Sequence, residues 1–279
     1  MKPNNTIFNF YMSMMDTYSE YLSKNYSESS LDNPNHSKTI MIKKIKNMFH
    51  SLHFLVEKTK DEVSARCLLR GLLDSMSVYC FIYQNADMDE VMFRHYLYLL
   101  DGLRTYRDCI INGVLIKKQL NSIETDFIDR ALYSVKEKLC QHPYSATFNK
   151  AIVQDIIRDA NWKYETIEKN TKTKYSKIYK KIGFDANTAN YFLKYNSQFV
   201  HGLCLSNTSL NNERSAQGVL YESILIADRI VNAIYNTFQD DFLSVFNPSD
   251  IINLYKFNID ELGDFVRAVV VQKDNIIIV

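Results

Sequence analysis

Two short stretches carry side chains whose types and spacing suit chemistry. In residues 190–202, Asn190, Lys194, Ser197 and His201 step by four, three and four, which puts them on one helical face. An ammonium, a hydroxyl and an imidazole in one line suit a phosphodiester. Imidazole moves protons near neutral pH and the ammonium holds phosphate charge. The opposite face is Phe192, Leu193, Phe199 and Val200. The same pattern also fits a hydrogen-bonded helix end, with His201 against the terminal carbonyls.

The second stretch, residues 65–74, spaces Arg66, Arg70 and Asp74 four apart, one stripe along the most apolar helix of the chain. An unpaired charge there is costly, so each needs a partner. Arg70 and Asp74 suit each other. Arg66 then needs an acidic residue, a backbone terminus or a phosphate. The stripe is either an ion-pair network that fixes helix register or an anion or RNA pocket. A weaker signal is residues 163–181, where Lys174, Lys177 and Lys180 and four other lysines alternate with Tyr164, Tyr175 and Tyr179. Cations and rings are the ingredients of single-strand binding, and equally of a solvated connector.

The elements that must position these groups read as helices. Helical spacing or capping predicts residues 6–24, 37–58, 61–83, from Asp87 or Asp89 to Asn112, 115–140, 144–162, 185–201 and 213–242. The third of these is apolar nearly all round, which predicts a central helix, and the helix of His201 is expected beside it. Residues 203–212 read as a polar loop. The tail, with a short helix at 249–256 and β-branched runs at 268–271 and 276–279, reads as a hairpin or strand. The expectation is therefore an all-α bundle of about eight helices with a short C-terminal β-element. The helical domain spans 1–247 and the tail 248–279. Such a strand either packs on its own helices or pairs with a second copy or another protein.

Composition limits the function classes. A net charge of +1 gives no global attraction to nucleic acid or anionic lipid, so such binding has to be local. No signal-like N-terminus and no apolar run of membrane length is present, which points to the cytoplasm. Five cysteines without a Cys-x-x-Cys spacing read as reduced core thiols. His50 and His53 lack a second ligand pair, so no metal is expected, and no motif calls for a cofactor. Glycine-rich phosphate loops and paired catalytic carboxylates are absent as motifs.

Together, the Arg-x-x-x-Arg-x-x-x-acid helix and the downstream Ser-x-x-x-His-Gly resemble a large bacterial family of helical proteins of unknown function. That family is often compared with the HEPN superfamily, the higher-eukaryote and prokaryote nucleotide-binding helical domains. The resemblance covers residues 40–240. It implies an RNA-directed protein of defence or toxin type, a metal-independent ribonuclease whose site forms between two protomers. The superfamily signature is an arginine, a short spacer and a histidine on a late helix. His201 matches the histidine, and Lys194, with six residues between, stands in place of the arginine. By that resemblance His201 acts on the ribose 2′-hydroxyl, Lys194 stabilises the pentacoordinate phosphate, and Ser197 or Asn196 orients either. Two departures open an alternative. Lysine lacks bidentate phosphate geometry, and Tyr195 follows where active members carry a small polar residue. The alternative is a non-catalytic interaction or regulatory module, with Arg66, Arg70, Asp74 and His201 in one buried polar network.

Overall fold

The computed structural model describes residues 3–28, 30–85, 87–112, 122–209, 211–245, 269–272 and 275–278. The described chain is mostly helical. In order, its helices are α1 (Pro3–Asn25), α2 (Pro34–Phe54), α3 (Glu62–Tyr83), α4 (Met88–Asn112), α5 (Ser122–Gln141), α6 (Pro143–Thr147), α7 (Lys150–Arg158), α8 (Tyr175–Lys180), α9 (Ala186–Val200), α10 (Cys204–Asn207), α11 (Glu213–Thr237) and α12 (Gln239–Val245). A small antiparallel sheet joins β1 (Tyr164–Thr166) to β2 (Lys169–Lys172). The expected short helix at 249–256 and the candidate boundary at Pro248 lie outside the described residues.

The helix ends follow local chemistry. Helix α2 opens on Pro34, whose missing N–H costs nothing in a first turn. It closes through a π-helical turn, Leu55–Thr59, onto Lys60 at φ 56°. Asp185 caps α9 by accepting from the amides of Asn187 and Thr188. Asn212 and Ser215 form a reciprocal capping box at α11.

Four segments depart from the sequence expectation, the first being residues 203–212, read as a loop, which hold the one-turn helix α10. Residues 144–162 hold two helices, because the Asn149 side chain caps a new start at Lys150 by accepting from the Ala151 amide. The expected helix 213–242 breaks at Phe238, which leaves α helical geometry at ψ 30°. The lysine-rich segment holds the small sheet, whose strands are too short to show a period, with Ile167 of the turn buried.

The chain divides into two compact units. The first comprises residues 1–28, 35–80 and 178–279. Its core is the buried face of α11, with Val219, Leu220, Ile226, Ala227, Ile230 and Ile234, against which α1 places Phe8, Met15 and Leu22. Tyr18 stacks on Phe242 at 4.3 Å. Helix α3 is central, as its composition predicts: within it, Ser64 alone is exposed. Helix α9 differs from that expectation, since it buries Ala189, Phe192, Asn196 and Phe199 and leaves its other face open.

The second unit comprises residues 29–34 and 81–177 and is built on the α4–α5 pair. Arg94 of α4 organises its sheet. Its Nη1 donates to the carbonyls of Trp162 and Tyr164 at 3.0 Å each, and its guanidinium lies 3.8 Å over the Tyr164 ring. Phe93, His142, Tyr144 and Tyr164 close a ring cluster beside it.

Candidate functional site

The stripe on α3 is paired throughout. Arg66 Nε donates to Glu62 Oε1, one turn earlier, at 2.8 Å. Its Nη1 donates to both carboxylate oxygens of Glu222 on α11 at 3.1 Å and approaches Asn196 Oδ1 at 3.4 Å. The rings of Tyr195 and Phe199 cover the guanidinium at 4.4 and 5.1 Å. Only 5% of the Arg66 side chain is exposed, so two carboxylates and two rings, not a ligand, replace its water. Burial pulls the Arg66 pKa down, but Glu222 and Glu62 outweigh it and hold the group above the ordinary arginine value.

Arg70 and Asp74 pair as expected, Nε to Oδ2 at 3.1 Å. Arg70 Nη1 also reaches α9, donating to the Leu193 carbonyl at 3.0 Å and to Ser197 Oγ at 2.7 Å. Tyr179 donates to Asp74 Oδ1 at 2.6 Å. Thus Asn196 and Ser197, expected to orient a reacting group, are instead held by the α3 arginines. Asn196 is fully buried. Ser197 also donates to the carbonyl of Leu193.

A loop secures the start of α3. Ser209 Oγ donates to Glu62 Oε2 at 2.6 Å, and Asn211 Oδ1 accepts from the Glu62 amide at 3.0 Å. Asn211 takes φ 44°, a region its short polar side chain tolerates. Burial raises the Glu62 carboxyl, but hydrogen bonds from Ser209 and Arg66 outweigh it and hold the pKa below the usual range.

The outer face of α9 is a different environment. Lys194 and His201 are both exposed, and no described hydrogen bond or ion pair engages the ammonium or the imidazole. His201 is the C-cap of α9, one residue past Val200. Its amide donates to Ser197 O, while Gly202 N–H reaches Phe199 O and Leu203 N–H reaches Gln198 O at 2.8 Å. This double closure needs a left-handed residue, and Gly202 supplies it at φ 60°. Lys194 and His201 share a face but lie two turns apart, about 10 Å of helix rise. His201 makes no described contact with the α3 stripe.

Lys194 lines an open groove of about 630 Å3 with Asn187, Asn190, Tyr191, Tyr195, Gln198 and Leu205. Tyr191 and Tyr195 stack at 5.2 Å with 13° between their planes. The Tyr191 hydroxyl donates to Glu222 Oε1 at 2.9 Å, so one carboxylate serves both the buried arginine and the groove wall. Burial and Glu222 raise the Tyr191 pKa.

The other sequence candidates are placed as follows. Lys174, Lys177 and Lys180 are exposed, and Lys177 pairs with Glu165. Two of the rings between the lysines, Tyr164 and Tyr179, are buried and present no face for stacking. The five cysteines are free, but Cys109, Cys140 and Cys204 are exposed rather than in the core. His50 pairs with Asp16 at 2.9 Å, and His53 stacks on Phe8. Among the described residues no group of three or more His, Cys, Asp or Glu side chains could hold a metal. None of the described helices is long and apolar enough to cross a membrane.

Sequence reasoning missed Glu222 as the partner of Arg66. The signal was a carboxylate among Val219, Leu220, Ser223 and Ile226, on the buried face of α11. It also missed Tyr191 and Tyr195 as a pair, although their spacing of four stacks rings on a helix. No protein-family model, curated protein or solved structure matches the chain.

Proposed function

We propose that the protein acts on RNA through the outer face of α9, as an HEPN-like, metal-independent ribonuclease. The observation that carries the reading is the split between the faces of α9. The arginines and carboxylates of the stripe are paired with one another and with α9 and α11, while Lys194 and His201 stand exposed with no partner among the described residues. A base that must collect a proton from a bound ribose needs such access. In the reaction, His201 takes the proton of a 2′-hydroxyl, and the 2′-oxygen forms a bond to phosphorus. The bond to the 5′-oxygen breaks, and that oxygen leaves with a proton taken from solvent water, to which His201 later returns its own. The products carry a 2′,3′-cyclic phosphate and a 5′-hydroxyl. Lys194 neutralises phosphate charge on the bound strand. Asn196 and Ser197 act indirectly, by fixing α9 against Arg66 and Arg70.

Since Lys194 and His201 are two turns apart, a second copy of the chain completing the site is part of this reading. The tail is a further contact for that copy or for another protein. Support comes from the antiparallel register of Val269 with Ile278 and of Gln272 with Asn275, a sheet of two strands among the described residues. The alternative reading, a non-catalytic module, draws support from the paired Arg66 and Arg70 network, but it requires His201 inside that network. The test is cleavage of labelled RNA in chelator, wild type against His201→Ala. Cyclic-phosphate products that vanish in the variant support the nuclease. Equal cleavage by both, or none by either, moves the weight to the module.

A further inference from the structure

The groove beside Lys194 contains groups that the cleavage chemistry does not use. Its wall is a pair of parallel phenol rings, Tyr191 and Tyr195. Tyr191 is 46% exposed, a large area for a ring whose hydroxyl is anchored. The rings are anchored in series: Glu222 holds the Tyr191 hydroxyl at 2.9 Å, Glu222 holds Arg66, and Arg66 covers Tyr195 at 4.4 Å. The groove is also lined by the carboxamides of Asn187, Asn190 and Gln198, which both donate and accept, and by the cation Lys194.

We infer that the Tyr191–Tyr195 pair is a stacking platform for an unpaired nucleobase, with Lys194 on the adjoining phosphate, and that Glu222 is the residue that positions it. The inference rests on the RNA reading above and adds to it that the strand is single. A base within a duplex has both faces covered and cannot lie on Tyr191. Rings held in advance lose little freedom when a base arrives, which is why the anchoring by Glu222 raises affinity. The carboxamides meet the polar edge of the base, and their mixed donor and acceptor character accepts more than one base.

The test uses two labelled 2′-O-methyl oligonucleotides of equal length, which have no attacking hydroxyl and so stay intact. One carries bases and the other is abasic, with the same backbone charge. Binding to wild type, Tyr191→Ala, Tyr191→Phe and Lys194→Ala is read by fluorescence anisotropy. The platform predicts that Tyr191→Ala weakens the base-bearing strand about ten-fold, the usual scale for one stacked base, and leaves the abasic strand unchanged. Tyr191→Phe retains the ring and stays closer to wild type than Tyr191→Ala. Lys194→Ala weakens both strands alike and flattens their salt dependence. Equal affinity of wild type for the two strands, with both sensitive to Lys194, overturns the platform and leaves the RNA reading standing. No binding of either strand overturns both.

Discussion

Two buried arginines, one in each unit, are built to the same plan and used differently. Arg66 and Arg94 each take a glutamate one turn earlier, Glu62 at 2.8 Å and Glu90 at 2.6 Å, and each lies over a tyrosine ring. The remaining donors differ. Arg94 gives Nη1 to two backbone carbonyls, which fixes the turn leading into β1. Arg66 gives Nη1 to a second carboxylate and a carboxamide, so it fixes side chains on α9 and α11. A guanidinium against backbone sets a chain path. A guanidinium against side chains sets the geometry of a surface, here the groove wall at Tyr191 and Tyr195. The second arrangement is also the more fragile, because it buries two carboxylates for one cation.

That difference orders the expected effects. Arg66→Ala strands Glu62 and Glu222 and is expected to cost about 3–5 kcal/mol in urea unfolding. Arg94→Ala strands two carbonyls but leaves Glu90, whose side chain is 26% exposed, in reach of water. Its cost is expected to be smaller, about 2–3 kcal/mol. A larger loss for Arg94 than for Arg66 would break the comparison. Acid sharpens it. The Glu62 pKa is depressed in the folded state, so its contribution is complete above the unfolded glutamate value, about 4.3, and fades as pH falls below it. The stability gap between wild type and Arg66→Ala should therefore narrow in urea titrations taken below that pH.

A third buried cation, Lys38, gives an intermediate effect. Its ammonium donates to Asn35 Oδ1 at 2.9 Å and lies 5.4 Å from the Phe238 ring. Burial outweighs the attraction of Asp241 and pushes its pKa down to about 8. The unfolded chain then binds this proton more tightly, so stability should rise as pH rises from about 8 to 10. Lys38→Met should gain on the order of 1–2 kcal/mol at pH 7 and lose that advantage by about pH 10. A gain independent of pH would refute the assignment. Lys194→Ala, on an exposed and unengaged group, should leave stability within about 0.5 kcal/mol of wild type and act on RNA alone.

The stripe on α3 was legible because three charges four apart on a helix apolar all round have few physical solutions. Arg70 with Asp74 was the local one. Glu222 was not local, and no periodicity states which helix α11 faces. The cap at Asp185 and the stop at Gly202 were legible from residue type and gave α9 its ends. Two short strands around Ile167 were not, since three or four residues carry no readable alternation. Neither was the inward turn of Asn196 and Ser197, whose positions on the helix are polar but whose partners lie more than a hundred residues upstream. The division into two units was equally hidden, because it cuts through the continuous helix α3.

The most direct test of the account sets His201→Ala and Arg94→Ala side by side, each measured for thermal stability and for metal-free cleavage of one labelled RNA. The account predicts that His201→Ala melts like wild type and cuts nothing. It also predicts that Arg94→Ala melts lower and still cuts, at temperatures where it is folded. Cleavage by His201→Ala at the wild-type rate would contradict the central claim, that the exposed face of α9 does the chemistry while Arg66 and Arg70 of α3 hold that helix in place.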